Sequence, residues 1–390
     1  MPYQQIQHIP VWGEPIGEAV NQIVNCAKEA SYCALMADHH PGYAVPIGGV
    51  VAYRDKISPS GVGYDIACGN KAVRLDIPLS DVKKNIKTIM NDIASTLSFG
   101  VGMRNSENVD HELFDKDEAW SIDIVKKNRS LAQEQLGTIG SGNHYVDIFQ
   151  DEFDRVWIGV HFGSRGFGHR IATHYITAGG GKDGMNVDPV VLNAKSNLAQ
   201  EYIAAMKLAG RYAYAGRDWV CSRAAKLLGA KIVEEIHNHH NFAWQEEHHG
   251  EKLWVIRKGA TPAFKGQKGF VGGSMGDISV IIEGLDSPES AEALHSTVHG
   301  AGRVMSRTQA AGRFVRRKRV GGQVSRSMMM DWVKSKGVEL RGAGTDESPH
   351  CYKRLPQVLT YHKNTIKILH TLTPLGVAMA GENEFDPYKD

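Results

Sequence analysis

The 390-residue chain lacks the patterns that mark secreted, disulfide-stapled or membrane proteins. Its five cysteines are an odd number without regular spacing, and it contains neither a CxxC nor an HExxH motif. This argues against a disulfide framework and for a reducing compartment. No apolar run approaches the roughly 18 residues of a membrane helix, and the first residues lack a basic-then-apolar signal pattern. We therefore expect a cytoplasmic protein that does not associate with membranes.

The chain also has almost no net charge. Its 45 lysines and arginines nearly balance 43 acidic residues, which gives +2 at pH 7, so a site for a polyanion would have to be local. There is no internal repeat, low-complexity linker or break in composition, and we expect one domain over residues 1–390. Helical and strand patterns are mixed rather than regularly alternating, which predicts an α+β fold.

Glycine and histidine are abundant instead, with 42 and 18 residues. The glycine-containing stretch Gly61–Asn70 carries Asp65 and Cys68 three residues apart. This pair suits a cation, because a metal ion deprotonates a thiol and binds a carboxylate oxygen. A buried cysteine beside a turn aspartate would give the same local sequence.

Later histidines can supply partners for that pair. His144 and His161 adjoin predicted strands and glycine-rich loops, and His240 lies in a histidine cluster of which one or two members can face one site. Together with Asp65 and Cys68 they could hold two divalent ions bridged by the thiolate. Thiolate favours zinc, whereas carboxylate and imidazole favour manganese. Each histidine alone could equally be an ordinary buried or surface residue.

Two further glycine loops, Gly272–Gly276 and His299–Arg303, can cradle phosphate through backbone N–H groups. Neither is a Walker or dinucleotide-binding sequence, and both can be plain turns. His299 can act as a nucleophile towards phosphorus if its other ring nitrogen is held by a hydrogen bond. Arg165 and Arg303, each in a glycine loop, are candidates for gripping a phosphate.

The remaining pattern gives coarse secondary structure. The basic run Arg313–Arg319 is either a solvated helix face or a contact for a nucleic-acid backbone. Alternating residues predict a hairpin from Phe242–Glu247 and Lys252–Lys258. Helices are predicted over Ile16–Ala30, Asp81–Leu97 with Ser80 as cap, Trp120–Gln135, Asp188 towards Ile236 with breaks at Gly210 and Gly216, and Leu355–Leu369.

Seven short motifs resemble, in order, those of the RtcB family of RNA ligases. They are GVGYDIACG, LGTIGSGNH, HFGSRGFG, HHN, RKGA, GSMG and HGAGRVMSR, and with the loop at Asp38 they extend from about Met36 to Thr308. The resemblance implies a single-domain fold with mixed sheets and surrounding helices. It also implies an enzyme that uses GTP and two manganese ions (Mn2+). The substrates implied are an RNA end with a 2′,3′-cyclic phosphate or 3′-phosphate and a 5′-hydroxyl end.

The resemblance also implies roles for individual residues. His299 would become guanylylated, and Asp38 and Arg165 would lie near the RNA phosphate end. The implied metal ligands, with Cys68 bridging, are Asp65, Cys68, His144, His161 and His240. The positions implied around the guanylate are Asn143, Gly273, Ser274, Met275, Gly300, Ala301 and Gly302.

The chain departs from the family at two places. Asp147 stands where the family usually has Glu, and Met379-Ala380-Gly381, followed by a tail to Asp390, stands where the family commonly ends in Lys-Gly. Both departures concern contacts to guanine. They predict weaker discrimination for GTP or a replacement contact, for which Glu382 is a candidate.

Three other functions are compatible with the residues. A relative could cap 3′-phosphate ends with guanylate without joining them efficiently. A metal-dependent phosphoesterase would use the same metal ligands but would not need His299. A non-enzymatic RNA-binding role would leave the metal ligands unexplained.

Overall fold

The computed structural model describes residues 3–105, 109–315 and 318–382. The strands are β1 (Tyr3–Ile6), β2 (Ile9–Trp12), β3 (Tyr32–His40), β4 (Ile47–Tyr53), β5 (Lys56–Ile57), β6 (Gly69–Leu75), β7 (Tyr145–Gln150), β8 (Val156–Phe162), β9 (Leu192–Asn193), β10 (Ile232–His239), β11 (Asn241–His248), β12 (Glu251–Lys258), β13 (Ala260–Pro262), β14 (Lys268–Val271), β15 (Ser279–Gly284), β16 (Ser296–Val298), β17 (Arg313–Val315), β18 (Lys318–Val320), β19 (Glu339–Ala343) and β20 (Ile366–Gly381). The helices are α1 (Gly17–Ala27), α2 (Pro59–Val62), α3 (Leu79–Thr96), α4 (Leu113–Lys116), α5 (Asp123–Lys127), α6 (Arg129–Gln135), α7 (Arg165–Ala178), α8 (Asn197–Leu227), α9 (Pro288–Glu292), α10 (Arg307–Ala311), α11 (Arg326–Ser335) and α12 (Leu355–Thr360).

Two large sheets form the framework. One has the strand order β1-β2-β3-β4-β12-β11, and the other has the order β10-β6-β8-β7-β20-β15-β14, with β19 paired to β20. Most neighbours are antiparallel, and the β2–β3 and β19–β20 pairs are parallel. Helices pack around both sheets, so the predicted α+β class is confirmed. Within the described ranges, no helix is both long and apolar enough to cross a bilayer.

The long helix α8 packs between α7 and the second sheet and is mostly buried along its length. Ser196 caps its first turn. The breaks predicted at Gly210 and Gly216 do not occur. A Cβ at Gly210 would lie 2.9 Å from the ring of Phe242, and one at Gly216 would lie 3.4 Å from the ring of Phe162. Glycine at position 210 therefore serves the close packing of Phe242 against the helix. A Cβ at position 216 would make an ordinary van der Waals contact, and neither glycine forms a turn.

Several other predicted elements differ from the structure. The predicted helix from Asp188 begins only at Asn197 and ends at Leu227, and the residues beyond it form β10. Ser80 does not cap α3, which follows Pro78 without a side-chain cap. The residues after His161, expected to be a glycine loop, open α7.

Tertiary pairing also overrides local pattern near the C-terminus and in the basic run. In Leu355–Leu369 the helix ends at Thr360, and the last four residues, from Ile366, belong to β20, because they pair with β15. For Arg313–Arg319 the sequence left open a solvated helix face or a contact with a nucleic-acid backbone. The helix is not formed, because β17 and β18 pair there as antiparallel strands, and residues 316 and 317 lie outside the described ranges. The nucleic-acid contact stays a prediction. The predicted hairpin around His249–Gly250 is confirmed as β11 and β12. Predicted helix Trp120–Gln135 is divided into a 3-10 turn, α5 and α6.

The ends of neighbouring strands bring the candidate ligands together. Cys68 precedes β6, His161 is the penultimate residue of β8, and His144 precedes β7. The strands β6, β8 and β7 are adjacent, and their register places Asn70 and Tyr145 on either side of His161. Chain segments that are distant in sequence therefore meet where these adjacent strands of the second sheet begin or end.

The close packing of aromatic rings against Gly159 in the second sheet can be tested by mutation. Gly159 lies in β8, and a Cβ there would lie 2.7 Å from the ring of Phe149 and 2.8 Å from that of Phe270. We expect Gly159→Ala to lower the free energy of unfolding by about 1–3 kcal/mol, because the added methyl overpacks the core. Chemical denaturation measures this change. Gly17→Ala, at a position with nothing within 4 Å, is the control and should change stability by less than about 0.5 kcal/mol. Equal effects would contradict this account of the core.

Candidate metal and nucleotide site

Cys68 lies at the centre of the candidate site. Its Sγ is 3.3 Å from Nε2 of His161 and 3.7 Å from Nε2 of His144. The same His144 nitrogen is 3.2 Å from Oδ2 of Asp65, and the ring of His240 lies 5.0 Å from that of His161. These five residues form two groups of potential ligands, each within 4.8 Å, and Cys68 belongs to both. The structure thus brings together all five residues that the resemblance implied as metal ligands.

Hydrogen bonds orient two of the imidazoles towards the thiol. Nδ1 of His161 lies 2.7 Å from the side-chain oxygen of Asn70, and Nδ1 of His144 lies 3.0 Å from the carbonyl oxygen of Ile139. A proton on Nδ1 of His161, donated to Asn70, leaves its Nε2 lone pair directed towards Cys68. Second partners of this kind fix the tautomer and the ring plane of metal-binding histidines.

The electrostatics of the group fit a divalent cation. Burial lowers the pKa of His161 and of His240 well below the ordinary value, so both imidazoles are neutral, as metal ligands must be. Burial raises the pKa of Asp65, but the hydrogen bond and charge of His144 outweigh it and bring that pKa to about 2. Burial, and then Asp65, raise the pKa of the Cys68 thiol well above the ordinary value. A bound cation would reverse that shift, and carboxylate, thiolate and imidazole together form a recognised donor set.

Arg217 of α8 ties the two main ligand segments together. Its fully buried guanidinium donates to the carbonyl oxygens of Ala67, at 3.0 Å, and Phe162, at 2.6 Å. These residues directly precede Cys68 and follow His161. Sequence reasoning missed Arg217, because a single arginine in a long helix carries no local signal of its partners.

His299 is held beside this group by a buried carboxylate. Its Nδ1 lies 2.6 Å from Oδ2 of Asp38, which also accepts hydrogen bonds from the backbone N–H groups of His299, at 3.0 Å, and Gly300, at 3.2 Å. Burial raises the pKa of Asp38, but His299 outweighs it and the pKa lies below the ordinary value. The ring of His299 is 4.9 Å from that of His240. With Nδ1 facing Asp38, Nε2 remains for a reacting group.

The implied contact of Asp38 with RNA stays a prediction. Asp38 is fully buried at the end of β3, in a segment predicted to be a loop. Gly302, at φ 78°, packs so closely on the Asp38 backbone that any Cβ would overlap its carbonyl oxygen. Asp38 therefore lies behind His299, and the described hydrogen bonds of its carboxylate are with His299 and Gly300.

A cavity of about 820 Å³ connects these residues. This volume is in the range of ligand-binding pockets. The cavity is lined by the five candidate metal ligands and by His299. It is also lined by every residue that the resemblance placed around the guanylate, namely Asn143, Gly273, Ser274, Met275, Gly300, Ala301 and Gly302.

Several buried polar atoms on the cavity wall have no hydrogen-bond partner among the described residues. They include the hydroxyl oxygens of Tyr145 and Ser274, Oδ1 of Asp147 and Nδ1 of His240. Burial raises the pKa of Asp147 well above the ordinary value, so its carboxyl group is neutral and can donate as well as accept. Unpaired buried polar groups are rare in proteins, and here they favour a ligand with its own donors and acceptors, such as a nucleobase.

The basic residues near the cavity differ in their contacts. Nη1 of Arg165 lies 3.1 Å from Nδ1 of His144, next to the metal group, although Arg165 does not line the cavity. Arg303 lines the cavity and donates to the hydroxyl oxygen of Tyr352 at 2.9 Å. Sequence reasoning gave no role to Lys258, which also lines the cavity and whose pKa burial lowers to about 8.

The C-terminal departures from the family can also be placed. Met379 of β20 lines the cavity, and Glu382 forms an ion pair with Arg326 at 2.8 Å. Glu382 does not line the cavity, so a contact between this side chain and guanine would require it to leave Arg326.

A histidine oriented by a carboxylate beside a potential metal-ligand group and a glycine-lined cavity is compatible with enzymes that transfer phosphoryl or nucleotidyl groups. The family model described as tRNA-splicing ligase RtcB matches residues 20–380. RNA-splicing ligase RtcB of Escherichia coli (strain K12) is 30% identical over 401 residues, covering 93% of this chain and 95% of that protein. The tRNA-splicing ligase RtcB of Archaeoglobus fulgidus is 30% identical over 450 residues, covering 93% and 91%. The chain belongs to the RtcB family, as its motifs predicted.

Because Cys68 belongs to both ligand groups, its loss should affect two metal ions and the loss of His144 only one. We expect Cys68→Ala to weaken both binding events about 100-fold or more, since even outer-shell partners contribute 10–100-fold. Equilibrium dialysis with Mn2+ would measure stoichiometry and affinity. Cys33→Ala, the same change at a buried cysteine outside the site, is the control. One binding event left intact in Cys68→Ala would show that the thiolate is not shared.

Proposed function

We propose that this protein is an RNA ligase that joins a 2′,3′-cyclic phosphate or 3′-phosphate RNA end to a 5′-hydroxyl end through a guanylate on His299. The observation that carries the proposal is the position of His299, held by Asp38 at 2.6 Å and facing a cavity that the metal-ligand group also lines. The names of its relatives, RNA-splicing and tRNA-splicing ligase, support the same reaction class.

A 2′,3′-cyclic phosphate end would first be hydrolysed, with water adding to phosphorus and the bond to the 2′ oxygen breaking, which gives a 3′-phosphate. The proposed chemistry then has three transfers. Nε2 of His299 attacks the α-phosphorus of GTP, and the bond to the departing pyrophosphate breaks. The Asp38 carboxylate stabilises the positive charge that then develops on the imidazole and keeps the ring oriented. An oxygen of the RNA 3′-phosphate next displaces His299 from the guanylate, and the 5′-hydroxyl of the second strand finally attacks the 3′-phosphorus and releases GMP.

The metal-ligand group would hold two divalent ions, which we propose to be manganese. The ligands are Asp65, Cys68, His144, His161 and His240. Bound ions would neutralise charge on the phosphate oxygens during transfer. The carboxylate suits manganese, whereas thiolate and imidazole are also common ligands of zinc. The choice of manganese therefore rests on the resemblance to the RtcB family, and metal analysis of the purified protein tests it.

Two alternative reactions share this site. A phosphoesterase needs the metal ligands alone and gives no role to the buried Asp38–His299 pair. A guanylyltransferase that caps RNA 3′-phosphate ends needs that pair but performs no joining. The geometry favours a guanylate intermediate, and the last transfer separates ligase from capping enzyme.

Incubation with Mn2+ and α-labelled GTP tests the intermediate directly. We expect an acid-labile label on the protein, absent in His299→Ala and formed about 100-fold more slowly in Asp38→Asn, because the amide no longer stabilises an imidazolium. His249→Ala, at an exposed histidine in the β11–β12 turn, is the matched control. Label on the His299→Ala protein would rule out this nucleophile.

Adding RNA strands distinguishes the three reactions. Joining of a 3′-phosphate strand to a 5′-hydroxyl strand supports the ligase. Guanylylated RNA that accumulates without joined product supports capping. Release of phosphate with no guanylate at any stage supports the phosphoesterase.

Asp147 provides a prediction on nucleotide selectivity. It is one methylene shorter than the family's usual Glu, and no lysine stands at Met379–Gly381. We expect comparable labelling by GTP and ATP, and a preference for GTP raised about tenfold in Asp147→Glu, the equivalent of one restored hydrogen bond. Labelling with both α-labelled nucleotides measures the ratio.

The control for this prediction is Glu382→Gln, which separates a replacement contact from weak discrimination. If Glu382 leaves Arg326 to bind guanine, this variant lowers GTP affinity, and otherwise it does not. Strict use of GTP with undiminished affinity in both the natural protein and Glu382→Gln would contradict the prediction.

A further inference from the structure

Three aromatic rings lead away from the cavity along the surface. The ring centroids of Tyr43 and Tyr64 are 6.1 Å apart in an edge contact, and those of Tyr64 and His169 are 5.2 Å apart with an interplanar angle of 24°. All three side chains are half-buried, so each keeps an exposed part. Tyr43 lines the cavity, and Tyr64 directly precedes Asp65 of the metal-ligand group. We refer to Tyr43, Tyr64 and His169 as the ring row.

The ring row ends at a second, shallower depression, the α7 groove, of about 530 Å³. The groove lies between α5 and α7. The polar side chains that line it are Lys127, Asn128, His169, Arg170, Thr173 and His174. His169 therefore belongs to both the ring row and the groove, and the two surfaces are continuous.

The α7 groove carries positive charge that the protein does not neutralise by close pairing. Lys127 and Arg170 are exposed, and neither forms an ion pair with a carboxylate within residues 3–105, 109–315 and 318–382. Arg170 donates to the side-chain oxygen of Asn128 at 3.1 Å, which directs the guanidinium along the groove. Exposed unpaired cations lining a concave surface are complementary to phosphate groups.

The distance from the α7 groove to the metal-ligand group corresponds to a few nucleotides of an RNA strand. Helix α7 begins at Arg165, whose guanidinium lies 3.1 Å from Nδ1 of His144. His174 is nine residues further along the same helix, or about 13 Å at 1.5 Å per residue. At about 3.4 Å per nucleotide of a stacked strand, that is a span of about four nucleotides.

We propose that the ring row and the α7 groove together bind the single-stranded segment of RNA next to the reacting end. Bases stack on Tyr43, Tyr64 and His169, and the phosphates that follow lie in the groove against Lys127 and Arg170. Base stacking on aromatic rings and contacts to phosphates accept any base, so the ring row and the α7 groove would bind a strand without selecting its sequence. The identity of the ligand rests on the proposed RNA ligase function, whereas the surface itself does not.

Charge reversal tests the groove. The probe is a fluorescent single-stranded RNA of about twelve nucleotides ending in a 3′-phosphate, followed by anisotropy over a range of salt concentrations. We expect Lys127→Glu with Arg170→Glu to weaken binding about tenfold or more. The slope of log affinity against log salt should fall by about 0.7 for each phosphate that the variant no longer neutralises.

The matched control carries the same change of charge elsewhere. Lys83→Glu with Lys84→Glu alters two exposed lysines of α3, which line neither the cavity nor the groove. This pair should bind the RNA within about twofold of the natural protein. Equal weakening by the two double variants would mean that overall charge, not the groove, binds RNA, and would overturn the proposal.

The ring row is tested at Tyr64, whose hydroxyl donates to Oδ1 of Asp183 at 3.0 Å. Tyr64→Phe keeps the ring and removes that bond, whereas Tyr64→Leu removes the ring. Stacking predicts binding close to normal in Tyr64→Phe and about tenfold weaker in Tyr64→Leu. Equal weakening in both variants would assign the effect to the hydrogen bond with Asp183 and would overturn stacking.

Two further measurements separate this inference from the proposed ligase function. Labelling of His299 by GTP requires no RNA, so its absence in the natural protein would refute the ligase and leave the RNA-binding comparison as an independent result. A dinucleotide with a 3′-phosphate is too short to reach the groove. Its affinity should be the same in the natural protein and in the Lys127→Glu, Arg170→Glu variant, and a weaker affinity in that variant would overturn the assignment of these residues to a distal site.

Discussion

The geometry of the site depends on the buried guanidinium of Arg217. A buried cation is costly unless its donors are satisfied, and here they are taken by the carbonyl oxygens of Ala67 and Phe162 and by His237 and His239. Because these acceptors belong to separate segments, the chain before Cys68 and the chain after His161 are fixed relative to each other. Helix α8, which carries Arg217, is itself packed along most of its length. The candidate metal ligands Cys68 and His161 therefore have a rigid support within the protein itself.

The second constraint is the carboxylate behind His299. Asp38 lies in a strand of the first sheet, whereas the candidate metal ligands Cys68 and His161 lie at strand ends of the second sheet. His299, through Asp38, and these two ligands are thus supported by different sheets and meet at one cavity, with His240 at the junction between β10 and β11. His299 is oriented through Nδ1, and His161 through its hydrogen bond with Asn70.

Sequence reasoning reached the residues that sit in short motifs and missed those that act through tertiary contacts. Asp65, Cys68 and His299 lie in short glycine-rich motifs, and the residue types within each motif were enough to predict a candidate role. The structure brings these three residues together. Arg217 has no such signal, because its partners are backbone oxygens far away in the chain. Dependence on tertiary contacts also explains the errors in the secondary structure predicted from the sequence. Gly210 and Gly216 were interpreted as helix breaks, but the aromatic rings packed against them are visible only once the sheets are assembled.

The separation of Asp38 and His299 by 261 residues also has a consequence for the order in which the site is made. At synthesis rates of about 5–20 residues per second, His299 leaves the ribosome about 13–52 seconds after Asp38. His240, the last candidate metal ligand along the chain, is made before His299. A growing chain therefore contains every candidate metal ligand while it still lacks His299, and the pairing of His299 with Asp38 must wait until the chain has extended beyond β16.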